Sequence, residues 1–337
     1  MIRVGIVGAT GYGSRELLRL LAMHSGVELA AVTSESAAGR PLCEALPALR
    51  GLYDIECEVF KAARVAERCD VVFVGVPSAK SMPFVRPLIE RGVRVIDIGP
   101  DFRLSDAAVF EQYYGEPHAA PELLEKAVYG LVPINREAIK ETNLVAVPGC
   151  YPISAILPLH PVLQAAQPEI PVVVDSISGI TGAGRTPNDT YHFPEMNENV
   201  RAYSVATHRH TPEIEQALDG NTMVQFSPHV GPYSRGILST ITVRPTKEFD
   251  IAACYEAYAD EPFIRVLGEN RLPEVKYVRD SNFCDIGWVR DDRTGNLVFV
   301  SAIDNLIGGT AGMAIQSMNL MFGLDEQTAL TRPGMAP

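Results

Sequence analysis

Apolar positions fall into two regimes along this chain. Up to residue 149, continuous apolar runs at 1–8, 27–33, 71–77, 93–99 and 145–147 alternate with stretches of helical period, the pattern of buried parallel strands joined by crossover helices. Residues 11–24 make the clearest helix, with Leu17, Leu18, Leu20 and Leu21 on one face, and 81–91 a second. This order predicts a doubly wound, Rossmann-like α/β domain over 1–149.

From residue 150 the balance changes. A helix is expected over 150–163, then strands at 171–178, 237–243, 282–288 and 298–304. Strands now outnumber helices, so 150–304 reads as an α+β domain with a mixed sheet covered on one face. Residues 228–236, rich in Pro and Gly, read as a loop. A helix of small residues, open to close approach, is expected over 305–322, and the tail 332–337 as loose.

Composition narrows the class. The 337 residues are 47 % apolar and 21 % charged, as in a soluble globular protein, and no apolar run approaches the roughly 20 residues of a membrane helix. No signal-peptide pattern opens the chain, so a cytoplasmic location is expected. The six cysteines, at 43, 57, 69, 150, 254 and 284, form no Cys-x-x-Cys pair, which suggests neither a disulfide framework nor a zinc ribbon. A net charge of −12 argues against nucleic acid or an anionic membrane as partner.

The chemistry centres on Val145-Ala146-Val147-Pro148-Gly149-Cys150-Tyr151-Pro152. An apolar run ends in Pro-Gly, a cysteine stands on the turn, and a helix follows. A thiol of ordinary pKa is only about 3 % ionised at pH 7, and a helix N-terminus stabilises the thiolate. Cys150 is thus a candidate nucleophile, against the plainer reading of a small buried hydrophobe.

Other stretches lie on both sides of it. Gly8-Ala9-Thr10-Gly11-Tyr12-Gly13 joins the first strand to the first helix, where a glycine-rich turn lets a pyrophosphate meet helix N–H groups. The second strand ends without the acidic residue that grips an NAD ribose; Thr33, Ser34, Ser36 and Arg40 follow instead, with Glu35 among them, which favours NADP. Arg103 follows a strand's carboxyl end and is a candidate anion ligand. Gly179-Ile180-Thr181-Gly182-Ala183-Gly184-Arg185 is either a flexible loop or a nest of N–H donors. In His208-Arg209-His210-Thr211-Pro212-Glu213-Ile214, Thr211 is the expected N-cap with Pro212 at the first helical position. One of the two histidines suits general acid/base work, and no third group at metal-like spacing accompanies them.

Taken together, these stretches resemble one family, the N-acetyl-γ-glutamyl-phosphate reductases of arginine biosynthesis. The likeness rests on the glycine turn, Asp101-Phe102-Arg103, the Cys150 turn, Gly182-Ala183-Gly184-Arg185, the two-histidine segment, Arg235-Gly236-Ile237-Leu238, Phe283-Cys284-Asp285-Ile286-Gly287 and Asp304-Asn305-Leu306. It implies an NADP-dependent oxidoreductase built like aspartate-semialdehyde dehydrogenase, with 305–337 returning to complete the cofactor domain and 150–304 serving catalysis and oligomerisation. It implies Cys150 as nucleophile, His210 as acid/base and Glu213 as the group that orients that histidine. Substrate contacts fall to Arg103, Ser154, Arg185 and His208. Cofactor contacts fall to Gly8, Thr10, Gly11, Tyr12, Gly13, Thr33, Ser34, Arg40, Pro77, Gly182 and Asn305. No metal is implied.

Two positions depart from the family pattern: Ser14 stands where the turn usually carries glycine, and Ser78 where histidine commonly follows the third strand. The implied reaction takes a small acyl phosphate through a thioester on Cys150 to an aldehyde, releasing phosphate, in a homo-oligomer of two or four subunits. The alternatives are a carrier-linked aminoadipyl-phosphate reductase of lysine biosynthesis, which would need a basic rim for an acidic carrier, and a nucleotide-sensing regulator without catalysis.

Overall fold

The computed structural model describes residues 1–336. It has two compact units, Met1–Pro148 with Thr310–Thr331, and Gly149–Gly309 with the tail from Arg332. The chain thus returns to the first unit at 310 rather than 305. Asn305 stays with the second unit, where its Oδ1 accepts the N–H of Gly236 at 2.7 Å. The described part of the tail is also tied there, contrary to the loose end expected. Met335 donates its N–H to the Arg279 carbonyl at 2.8 Å, and Arg332 faces Asp280 at 3.6 Å; Pro337 lies outside the described residues.

In the first unit, β1 (Ile2–Val7), β2 (Val27–Thr33), β3 (Val71–Val74), β4 (Arg94–Asp97), β5 (Val128–Tyr129) and β6 (Leu144–Ala146) form one sheet. Its order is β2-β1-β3-β4-β6-β5, and every pair is parallel. The connections carry α1 (Tyr12–Leu21), α2 (Leu42–Ala45), α3 (Ala62–Arg68), α4 (Met82–Ile89), α5 (Ala107–Tyr114) and α6 (Val132–Glu141). All four residues of β3 are buried, as a central parallel strand requires. The strand order reverses at β1, so the glycine turn at the carboxyl end of β1 sits where open α/β sheets bind ligands. The late helix Gly312–Met321, buried in all its residues, packs on α6 and α1. Its Asn319 bonds His24 Nε2 at 2.8 Å.

The second unit runs α7 (Cys150–Ala165), β7 (Val172–Gly179), α8 (Phe193–Met196), β8 (Arg201–Ala202), α9 (Thr211–Leu218), β9 (Val224–Gly231), β10 (Ile237–Val243), α10 (Ile251–Cys254), β11 (Ile264–Glu269), β12 (Cys284–Asp291) and β13 (Asn296–Ile303). The chain then re-enters the first unit as α11 (Gly312–Met321). The sheet order is β11-β12-β13-β10-β7-β9-β8. Pairs β7–β9 and β11–β12 are parallel and the others antiparallel, giving a mixed sheet.

Residues 228–231, expected in a loop, belong to β9 instead. Proline is tolerated there because the β8 ladder ends opposite His229, and the segment after it takes only the Pro228 carbonyl, which accepts the Tyr203 N–H at 3.1 Å, and asks for no N–H in return. Along β10, Ile237, Ser239, Ile241 and Val243 are buried while Leu238, Thr240 and Thr242 are not. Helix α7 packs against β10 and β13. Buried hydroxyls join helix to sheet: Ser176, Ser239 and Ser154 form a chain with Oγ separations of 2.6 and 2.7 Å, and Ser301 donates to the Ser154 carbonyl. Among the described residues no helix is long and apolar enough to cross a membrane.

Candidate active site

The glycine turn of the first unit is built from close backbone approaches. Gly8 has φ +82°, and a Cβ there would lie 2.3 Å from the Gly75 carbonyl oxygen, so only glycine fits. The N–H groups of Gly8 and Ala9 donate to the carbonyl of Thr33, tying the turn to the end of β2. The departure at Ser14 is compensated at Gly75. A Cβ on Gly75 would stand 2.5 Å from Ser14 Oγ, so a glycine at the strand end makes room for the serine on the helix.

The buried Oγ of Ser14 has no hydrogen-bond partner among the described residues. Gly11, the N-cap of α1, brings no capping side chain. An orphaned hydroxyl and an uncapped helix start fit the pyrophosphate of a dinucleotide, with Thr10, Tyr12 and Gly13 beside it. At the end of β2, Thr33 and Ser34 are buried, Ser34 Oγ lies 3.3 Å from Ser36 Oγ, and Arg40 reaches the Ser36 carbonyl at 3.1 Å. Pro77 lies exposed beyond β3.

Past β4, Arg103 spends two donors on the backbone, Nε to the Val147 carbonyl at 2.7 Å and Nη2 to that of Ile98 at 3.1 Å. No pattern in the sequence marks the polar cluster beside it. Ser81 Oγ is 3.0 Å from Asp97 Oδ2 and 2.9 Å from Asp101 Oδ2, and all three residues are fully buried. A hydroxyl has one hydrogen, so one carboxyl must carry a proton of its own. Asp101 also accepts the N–H groups of Ala79 and Ser81. Asp97 keeps the proton: burial, then the neighbouring Asp101, push its pKa up to about 7.

In the second unit, Cys150 is the first residue of α7, half-buried, with Gly149 as N-cap at φ −68°, ψ 150°. None of the cysteines is in a disulfide. The close approach expected of the small residues after Asn305 is made by Gly309, where a Cβ would lie 2.8 Å from that of Cys150. Glu213 is buried and its Oε1 accepts the Gly149 N–H at 2.7 Å, so this carboxylate grips the turn that presents the thiol.

Helix α9 begins at Thr211 with His210 as N-cap and Pro212 in the first turn. The cap is one residue earlier than expected because His208 turns the chain there. Its carbonyl accepts the Thr211 N–H at 2.9 Å and its Nδ1 the His210 N–H at 3.1 Å. Cys150, Tyr151, Ser178, Gly182, Tyr203, His208, Arg209 and His210 all line one cavity of about 220 Å³. Tyr151 donates to the His229 carbonyl at 2.7 Å, and Tyr203 lies 3.3 Å from the Tyr151 hydroxyl. Burial raises the pKa of both phenols, keeping them protonated.

Other expected contacts sit elsewhere. Ser154 is wholly buried, donating to the Tyr151 carbonyl at 2.8 Å and bonded to Ser239, which leaves it no surface for substrate. Arg185 is exposed and outside the residues lining the cavity, whereas exposed Arg209 lines it. Asn305, expected at the cofactor, uses its amide within the unit, bonding Gly236 and Thr181. Sequence reading passed over Arg209, Tyr203 and Ser178. Arg209 stands between two named histidines and was the one of these with a visible signal. Among the described residues no group of three His, Cys, Asp or Glu side chains gathers as a metal site would.

Comparison with known proteins finds relatives over the whole length of the chain. Residues 3–142 match the family model described as semialdehyde dehydrogenase, NAD binding domain, and 150–305 that described as semialdehyde dehydrogenase, dimerisation domain. The N-acetyl-gamma-glutamyl-phosphate reductase of Desulforudis audaxviator is 47 % identical over 100 % of both chains, and that of Geobacter sulfurreducens 46 % over 100 % of both. Among solved structures, aspartate semialdehyde dehydrogenase II of Vibrio cholerae superposes with a TM-score of 0.75 at 17 % identity, covering 96 % of this chain and 99 % of that one. The Candida albicans aspartate semialdehyde dehydrogenase with NADP gives 0.74 at 18 %, covering 96 % and 98 %. Matched end to end at nearly half identity, the chain belongs to the N-acetyl-γ-glutamyl-phosphate reductase family within the semialdehyde dehydrogenases.

Proposed function

We propose that this chain reduces N-acetyl-γ-glutamyl phosphate to N-acetylglutamate 5-semialdehyde and phosphate, with NADPH as reductant, through a thioester on Cys150. The observation that carries the reading is that Cys150, at the start of α7, and His210, at the start of α9, line the same cavity. His210 takes the thiol proton, and the thiolate, stabilised by the helix end, attacks the acyl carbon. The bond to the phosphate oxygen breaks, His210 returns the proton to the departing phosphate, and the acyl group stays on sulfur. A bound reduced nicotinamide dinucleotide supplies the hydride for the second half of the reaction. The backbone N–H of Cys150, in the first turn of α7, is positioned to meet the oxyanion on the acyl carbon in each half. When the adduct collapses, the C–S bond breaks, the aldehyde leaves, and Cys150 regains a proton from water.

Arg209 is the cavity's own cation for the substrate's anionic groups. NADP over NAD rests on Ser34, Ser36 and Arg40 at the end of β2, the last of which an NAD ribose would not need. The reaction needs NADPH and a reduced thiol, both supplied by the cytoplasm. A homo-oligomer fits the sheet face on which Ile177, Leu238 and Thr242 remain half-exposed.

The direct test runs the reaction in reverse. N-acetylglutamate semialdehyde with NADP should give nicotinamide reduction that depends on phosphate. Acyl substrate without reductant should add one acyl mass to the Cys150 peptide; an adduct on another residue, or none, rejects the thioester.

A further inference from the structure

His208 lines the cavity beside His210, yet the residue is only 9 % exposed. Four rings surround it: Tyr151 of α7 at 5.9 Å, Tyr203 at 5.5 Å, Phe226 of β9 at 5.3 Å and His210 at 4.7 Å between centroids. Every one of these contacts is edge-to-face, which fixes the ring plane. The Nδ1 atom accepts the N–H of His210, two residues ahead, while the His208 carbonyl accepts that of Thr211. Two hydrogen bonds from one residue thus set the turn that starts α9.

We propose that His208 is a positioning residue for the acid/base histidine, holding the backbone of His210 through Nδ1 so that the His210 ring enters the cavity in one orientation. This rests on the thioester reading above, and it replaces the substrate contact that the sequence suggested for His208. An acceptor role fixes the tautomer, because Nδ1 must be bare and the proton must lie on Nε2. Protonating Nδ1 would set N–H against N–H, so the bond and the charged imidazole exclude each other. The groups facing the ring agree: Tyr151 and Tyr203 are protonated phenols, Phe226 is apolar, and Arg209 is a cation. Burial and then Arg209 lower the His208 pKa to about 4. Of the two histidines, only His210 is left to move a proton.

Two substitutions separate the bond from the packing. His208→Phe fills the ring cage without an acceptor. His208→Asn loses the ring but offers Oδ1 to the same N–H two residues on, as asparagine does in turns. With the phosphate-dependent assay, His208→Phe should lower kcat roughly 10–100-fold, the scale of a small misplacement of a catalytic group, with KM within about threefold and Cys150 still open to alkylation. His208→Asn should recover kcat to within roughly fivefold of wild type, even if its melting point falls. The proposal is overturned if His208→Phe keeps wild-type kcat, if the loss falls on KM alone, or if His208→Asn is as impaired as His208→Phe.

A measurement that needs no turnover covers the case of a misfolded variant or an inactive wild type. Nitrogen NMR of the wild-type protein should find the His208 ring neutral, with its proton on Nε2, from about pH 5 to pH 8. A ring that titrates in that range, or that carries its proton on Nδ1, removes the acceptor and the proposal with it. Absence of phosphate-dependent turnover in the wild type would reject the thioester reading while leaving this bond to be judged on the spectra.

Discussion

Helices α1 and α7 both begin after an extended glycine, Gly11 at φ −67°, ψ 158° and Gly149 at φ −68°, ψ 150°, with no capping side chain from either. Their surroundings differ. At α1 the turn is made of glycines, a hydroxyl lies buried without a partner, and only one face of the helix is packed, through Leu17, Leu18, Leu20 and Leu21. At α7 the N-cap N–H is already held by Glu213, Gly309 presses on Cys150, and the helix is buried almost all round. The positive end of a helix stabilises an anion in either setting. An end left open receives the anion from outside, and an end closed by its neighbours is supplied with one from its own side chain. On the reading proposed above, the first arrangement makes a binding site and the second a nucleophile.

The sharpest way to break this contrast is Cys150→Ser, which leaves the helix end and removes its thiol. We expect at least a ~10⁴-fold loss of phosphate-dependent turnover, since a serine there lacks a comparably ionisable group, with dinucleotide affinity by calorimetry unchanged. A variant that still turned over near the wild-type rate would make α7 an ordinary helix start.

The next test asks whether closure around the thiol matters. In Gly309→Ala the new Cβ would need the place 2.8 Å from Cys150 Cβ and 3.3 Å from the Asp304 carbonyl oxygen, both firmly held. Displacing the thiol by a fraction of an ångström should lower kcat roughly 10–100-fold and change the rate of iodoacetamide labelling at Cys150. Unaltered labelling and turnover would show that Gly309 is merely small.

At the open end the corresponding change is Ser14→Ala. A buried hydroxyl without a partner costs about 1–3 kcal/mol, so removing it should raise the melting point of the ligand-free protein. If that hydroxyl awaits a pyrophosphate oxygen, the same variant should bind the dinucleotide roughly tenfold more weakly. The two readouts moving in opposite directions is the signature; weaker binding with a lowered melting point would reduce Ser14 to packing.

How legible each end was follows from the same contrast. The first unit announces itself because its signals are local: the apolar run Val71–Val74 and the glycines from Gly8 to Gly13 are contiguous. The Cys150 turn was equally plain. What closes it was not, because Glu213 lies 64 residues from Gly149, and the serines joining α7 to its sheet come from three separate strands. Such partners leave no periodicity. Strand β9 was missed for a different reason: Pro228 reads as a breaker unless the strand beside it is known to stop at His229. The Asp97, Ser81 and Asp101 cluster looks in sequence like three unrelated polar residues, and only burial makes it a shared-proton site.

That cluster gives the smallest expected effect and the finest test of the open end. Asp97 closes β4, and β1 and β4 run parallel, so the two carboxyls stand at the same edge of the sheet as the turn that is to receive an anion. Two carboxylates there would oppose it; a retained proton removes one charge. In the unfolded chain Asp97 titrates near 3.8, in the fold at about 7. Between those values the folded protein holds a proton the unfolded chain has released, so stability falls as pH rises, by up to about 1.4 kcal/mol per pH unit for one proton. Above about pH 7 the loss is complete and the curve levels. Asp97→Asn keeps the neutral form at every pH: its amide can donate to Ser81 Oγ, whose hydrogen still goes to Asp101, and its oxygen can accept from Gly99 as Asp97 Oδ1 does. Urea unfolding should therefore find variant and wild type alike near pH 4 and the variant more stable near pH 8. A difference that stayed constant with pH would mean that Asp97 is ionised in the fold, and that the edge of the first unit carries both charges despite the anion it is meant to bind.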